Sequence, residues 1–140
     1  MKKNGLYIDE KTSTLFIDVI PLLDYNKLYS NHEVEIIKQL NKFKESVDIS
    51  EICLFIGRNF TISMFEKEMN LVTSLINFFY NSGLNIIKCD IYHIPSSFST
   101  MFSVVKPLIS SSALKIIYFE NKTYEEWNNE NRSSQYSLFS

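Results

Sequence analysis

Apolar and polar residues follow two periods along this chain, and the switches between them mark out its elements. Leu6 to Glu10 and Leu15 to Ile20 are short runs rich in β-branched and aromatic residues, and they flank the turn-forming Lys11 to Thr14. That pattern predicts an opening β-hairpin. From His32 to Val47 the apolar set Ile36, Leu40, Phe43 and Val47 recurs at helical spacing, with Glu35, Lys38, Lys42 and Glu45 elsewhere on the cylinder, predicting a solvated amphipathic helix. "EICLFIG" (51–57) is five consecutive apolar residues closed by Gly57, a run that predicts a strand covered on both faces, hence a parallel sheet.

Ser63 followed by Glu66 has the form of a capping box, and the helix it would open carries Phe65, Met69, Val72, Ile76 and Phe79 on one stripe, widened by Leu75 and Phe78. "NSG" at 81–83 ends that helix, and "NIIKCDIY" predicts the next strand, with Ile87, Cys89 and Ile91 sharing a face. A further helix and "KIIYF" complete the series. Strand and helix in alternation with short connections predict an α/β fold: a mostly parallel sheet with an N-terminal antiparallel hairpin and helices on its faces.

The chain has 140 residues, a length suited to one domain, since separate cores need about 50 to 200 residues each. Residues 1–125 are expected to form it, with 126–140 a polar, mobile tail rich in Asn, Glu and Ser. Fourteen Lys and Arg stand against 16 Asp and Glu, and no window holds the basic run that a phosphate backbone requires, so nucleic acid is not an expected partner. Cys53 and Cys89 each lie in an apolar run and are expected to be reduced core residues. The N-terminus has no apolar stretch of signal-peptide length and no segment approaches a membrane span, which predicts a soluble, cytoplasmic protein.

Candidate chemistry is sparse. His32 and His93 have no Cys or carboxylate at metal-ligand spacing, no G-x-S-x-G elbow occurs, and Gly57 alone is no dinucleotide fingerprint. Asp18 and Asp24 suit a strand end and a turn better than an acid pair. No catalytic residue, metal or cofactor is expected. Arg58, just past the "EICLFIG" strand, is placed to offer a guanidinium at the carboxyl edge of the sheet or to be a plain surface residue, and Trp127 with Tyr124 either anchors an interface or packs on the body.

The unusual segment is "IPSSFSTMFSVVKPLISSSALKIIYF" (94–119), whose charges are Lys106 and Lys115 in a chain that is 21% charged. Phe98, Phe102, Val105 and Ile109 form one stripe, and Met101, Val104 and Leu108 an adjoining one, so the apolar arc exceeds what one core contact uses. Such a helix is buried by neighbours, faces an apolar ligand or meets a membrane. Pro107 predicts a break, making Leu108 to Leu114 a separate turn or short helix.

"DIYHIPSSFSTMFSVVKPLISSSALKIIYF" resembles the C-terminal half of the CRAL-TRIO lipid-binding domain, whose pattern is a strand ending in Asn-Ala-Pro, then Phe-Ser and an apolar helix, Lys-Pro-Phe-Leu, and Thr-x-x-Lys-Ile before a strand. Pro95, Phe98, Ser99, Lys106, Pro107, Leu108, Lys115 and Ile116 match those places, and the likeness covers about residues 50 to 120. It implies that the helix from Phe98 to Ile109 is a gate over an apolar pocket, with Phe98, Met101, Phe102, Val105, Leu108 and Ile109 touching a phospholipid or other hydrophobic ligand. It further implies a phosphoinositide-type headgroup site of Ser112 and Lys115, to which Arg58 is added from its place at the sheet edge, and transient contact with a membrane surface.

The family's Tyr-Pro-Glu-Arg before the penultimate strand is replaced by "YNSG", so its acidic inositol contact has no counterpart, and the helical N-terminal extension of the full-length transfer proteins has none either. Short divergent members of the BCH type act as adaptors that bind small GTPases, their regulators or one another. A protein partner or homodimer is therefore the alternative expectation. A regulatory STAS domain shares the layout but would carry Asp-Ser-x-Gly where this chain offers only Thr61 and Ser63.

Overall fold

A computed structural model describes residues 4–27 and 31–139, with side chains as far as Asn131. Six strands form one sheet in the order β1-β2-β3-β4-β5-β6: β1 (Leu6–Asp9), β2 (Thr14–Asp18), β3 (Glu51–Phe55), β4 (Lys88–Tyr92), β5 (Ile117–Phe119) and β6 (Lys122–Thr123). The outer pairs β1–β2 and β5–β6 are antiparallel, and β2 to β5 run parallel. The opening hairpin is thus present, and the sheet is mixed, with a second antiparallel pair at its far edge.

Register sorts the side chains into two sets. Leu6, Ile17, Leu54, Ile91 and Phe119 are neighbours across five strands, and so are Ile8, Leu15, Ile52, Cys89 and Ile117. Both rows are apolar and face the helices, where they meet Leu22, Ile36, Leu40, Phe65, Leu71 and Phe98. The opposite face carries Tyr7, Phe16, Cys53, Phe55, Asp90, Tyr92 and Tyr118, and among the described residues the helices pack in the clusters of the first face. Helices on both faces were expected. They cover one, because right-handed crossovers that step in one direction across a sheet return on the same side each time. "ICLFI" within "EICLFIG" is apolar throughout because Cys53 and Phe55 share the open face with the rings of Phe16 and Tyr92.

The helices are α1 (Val19–Asn26), α2 (His32–Ser46), α3 (Ile62–Lys67), α4 (Met69–Asn81), α5 (Phe98–Val105), α6 (Ser111–Leu114) and α7 (Tyr124–Phe139). Helix α1 was not anticipated: β2 stops at Asp18, and Val19, Ile20 and Pro21 enter a helix whose first turn tolerates the proline. Its Asn26 is fully buried, donating to the Leu22 carbonyl at 2.8 Å and accepting from Gln39 of α2 at 3.2 Å, which ties the two helices. The expected helix from Ser63 starts two residues sooner, with Thr61 as its cap accepting from the Met64 amide at 3.1 Å. It also breaks at Glu68, giving α3 and α4.

After α5 comes one 3-10 turn, Lys106–Leu108, and then α6, the division that Pro107 predicted. The expected tail boundary at 125 falls inside α7, whose Trp127 stacks on Phe119 at 4.5 Å between ring centres. The mobility expected of residues 126–140 bears mostly on side chains outside the described residues.

Gly5 fixes how the hairpin meets α1. Its φ is +77°, its carbonyl accepts from the Asp18 amide at 2.8 Å, and a Cβ there would lie 2.5 Å from the Asp18 carbonyl oxygen and 2.6 Å from the Leu22 nitrogen. Gly83 has the same backbone sign with nothing within 4 Å. Gly83→Ala should therefore cost about 1–2 kcal/mol, the left-handed penalty alone. Gly5→Ala adds a backbone clash and should cost at least about 3 kcal/mol, read as the difference between the two urea midpoints.

Candidate functional site

Between the helix-facing side of the sheet and α3, α4 and α5 lies a cavity of about 240 Å³. Its floor is Ile17, Ile52, Leu54, Cys89, Ile91 and Ile117. Phe65, Val72, Leu75 and Ile76 form one wall, and Phe98, Met101, Phe102, Val105 and Ile109 form the other. All are apolar but for the thiol. Glu68, at the α3–α4 break, stands at the margin and is held by His32 Nε2 at 3.0 Å. The void follows from the packing of the layers: α5 is only eight residues long and the chain leaves it through a 3-10 turn, so its stripe covers the floor without filling the space beside α4.

Five of the six residues expected to touch a ligand come together here. Phe98, Met101, Phe102 and Val105 are buried on α5, and Ile109 lines the cavity from beyond the 3-10 turn. Leu108 does not: it is 45% exposed, on the outer side with Val104, because the 3-10 turn rotates it away from the sheet.

The headgroup set divides. Ser112 lies in α6 and Lys115 just after it, both exposed, on the turn between cavity residues Ile109 and Ile117 at the amino end of β5. Arg58 lies at the carboxyl ends of the strands, its Nη2 3.2 Å from Glu120 Oε2 and its Nη1 3.5 Å from the Ile94 carbonyl. The length of β5 separates it from Ser112 and Lys115, and a carboxylate already engages it. It does not join them. The connection that carries Ser112 is itself ordered: the Ser110 hydroxyl accepts from the Ala113 amide at 3.1 Å, and the Ser110 amide donates to Tyr80 Oη at 2.6 Å.

Helix α7 clamps α5 from outside, a feature sequence reasoning left open at Trp127 and Tyr124. Trp127 meets Phe98 and Phe102 edge-on at 5.7 and 5.8 Å, Tyr124 lies 5.8 Å from Phe102, and Lys106 Nζ sits 5.0 Å from the Tyr124 ring centre. The His32–Glu68 pair was not legible either, since 36 residues separate its members.

Cys89 on the cavity floor has its thiol pushed up to about 12, chiefly by burial and then by the charge of Asp90. Cys53 lies on the opposite face and is raised for the same two reasons in the same order. Both are free. Among the described residues no group of three His, Cys, Asp or Glu side chains is arranged to hold a metal ion, and no helix is long and apolar enough to cross a membrane. No family model, no curated protein and no solved structure matches the chain.

The raised thiol gives two expected outcomes. At pH 8 a shift from the ordinary 9.0 to about 12 lowers the thiolate fraction about a thousandfold, so iodoacetamide should alkylate Cys89 about a thousand times more slowly in the native than in the unfolded chain, with Cys53 reacting first. The fold favours the neutral thiol, so its contribution to stability is whole below pH 9 and is lost as pH rises from 9 towards 12. Peptide mapping of label against pH checks the first, and urea midpoints between pH 8 and 11 check the second.

Proposed function

We propose that this protein binds a single apolar chain or small ring system in the cavity beneath α5, without covalent chemistry. The observation that carries the reading is the cavity itself: roofed on one side by α5, lined by apolar side chains with Glu68 at its margin, and larger than the 150 Å³ apolar cavity in another protein that stays dry and takes up benzene. By proportion, 240 Å³ accommodates about ten carbon atoms. Burying ten methylenes is worth about 8 kcal/mol before association costs are subtracted, which limits such a ligand to about micromolar affinity. A two-chain phospholipid exceeds the volume and requires α5 to swing away from the sheet.

The arrangement accords with the CRAL-TRIO resemblance: an apolar helix after β4 lies over a sheet floor, and the serine-rich turn with Ser112 and Lys115 adjoins the cavity at Ile109 and Ile117. We assign the polar end of the ligand to that turn, where hydroxyls and an ammonium suit a carboxylate or phosphate. Arg58 is left out of the site because Glu120 occupies it. Val104 and Leu108, exposed beside Lys106 on the outer side of the gate, favour transient contact with a membrane surface during exchange.

The test is uptake by purified, delipidated protein, read by native mass spectrometry and by displacement of a fluorescent ten-carbon fatty acid. Ile76→Phe, which fills the cavity from α4, should weaken uptake at least about tenfold with no loss of thermal stability. Protein that stays empty across fatty acids, alcohols and aromatic hydrocarbons would sink the proposal. Removing the clamp should act on rates: Trp127→Ala should cost about 2–3 kcal/mol of stability and speed release of the probe in stopped flow. An unchanged off-rate would show that α5 is not the gate.

A further inference from the structure

The face of the sheet that no helix covers among the described residues is unlike an ordinary solvated one. Alternation in a sheet with one open face normally puts polar residues outward. Here the outward positions bring four rings into a row across β1 to β4: Tyr7 lies 5.6 Å from Phe16, Phe16 stacks on Phe55 at 6.4 Å with 11° between planes, and Phe55 stacks on Tyr92 at 5.6 Å. His93, held at φ +54° with its carbonyl accepting from the Gly57 amide, tilts over Phe55 at 5.3 Å. Tyr7, Phe16, Phe55 and His93 line a shallow dish of about 360 Å³, and Asp18 is the carboxylate in it.

Charge on this face is one-sided. Among the described strand residues, register places Asp9, Asp18, Glu51 and Asp90 outward, against Lys88. Lys88 is already bound by Asp90, 3.2 Å from its Oδ2. The Asp18 carboxylate has no hydrogen bond or ion pair among the described residues. Asp90, only 6% exposed, has a second oxygen, Oδ1, that is buried without a partner among them. Carboxylates thus lie on either side of a row of ring faces.

We infer that this open face is a docking surface for a protein segment bearing an arginine, whose guanidinium stacks on Phe16 and Phe55 and forks onto Asp18. Ring faces attract cations, and a planar guanidinium can stack and make two parallel hydrogen bonds to a carboxylate, which a lysine ammonium cannot. The dish is open, whereas small-molecule sites enclose most of their ligand, so a side chain delivered by a larger partner fits better than a free cation. A second copy meeting this face isologously would set four carboxylates against four, and a nucleic acid would bring phosphates to them. The inference is independent of the cavity, which lies on the other side of the sheet.

The experiment is an amide NMR titration of the full chain with the synthetic peptide Gly-Arg-Gly-Arg-Gly and its lysine and citrulline counterparts. Shifts should concentrate at Tyr7, Phe16, Asp18, Phe55 and His93. Affinity should fall at least about tenfold on replacing arginine by citrulline, and by a similar factor for Asp18→Asn. Lysine should bind more weakly than arginine. The citrulline comparison leaves the protein unaltered, so it stands even if Asp18→Asn perturbs the fold. Equal binding of the citrulline peptide, shifts confined to the helical side, or no shift at millimolar peptide would overturn the inference. So would concentration-dependent dimerisation, or binding of a single-stranded oligonucleotide, that moves the same five residues.

Discussion

The parity of the strand register is the constraint on which the rest of the molecule depends. Leu6, Ile17, Leu54, Ile91 and Phe119 stand side by side across five strands, so a slip of one residue in any strand would turn an apolar side chain out and an aromatic or acidic one in. The sequential strand order then sends each crossover back over the same face. One face becomes the floor of a core, and the other carries the aromatic and acidic positions of the strands.

On the covered face the layers do not fill the space between them. Two clusters share Leu23, Leu54 and Cys89: one is centred on α1, α2 and the hairpin, the other on α5, β5 and the aromatic rings. The cavity lies where they meet. Phe119, fully buried beneath Trp127, Phe98 and Phe102, ties α5 and α7 to the sheet, so the helix over the cavity is held from both sides by rings. Contacts of that kind are strong in sum yet non-directional, which allows a helix to shift and repack.

On the open face the same economy of side chains has a different result. Phe16, Phe55 and Tyr92 stack on one another because neighbouring strands set their rings a few ångströms apart, and that stacking removes part of each ring from water while leaving its remaining surface available. Burial, with the charge of Asp90 adding to it, raises the Tyr92 hydroxyl and the Cys53 thiol. The sheet thus has two separated surfaces of distinct chemistry, apolar inside and aromatic-acidic outside.

By itself the sequence determined the alternating elements, the opening hairpin, the break at Pro107 and the five inward residues of α5 and its exit, because each is written in local periodicity or in the backbone limits of one residue. It did not reveal α1, whose Val19 and Ile20 read as the end of the β-prone run Leu15 to Ile20, nor the second antiparallel pair, whose two-residue strand is too short to show a period. Tertiary structure alone decided which face the helices cover, since an apolar run such as "EICLFIG" reads the same whether Phe55 meets a helix or the ring of Tyr92. It also decided that Leu108 turns outward, that Arg58 is taken by Glu120 far from Lys115, and that a space remains beneath α5. Contact partners, chirality of connection and empty volume are properties of how layers meet, and no single segment encodes them.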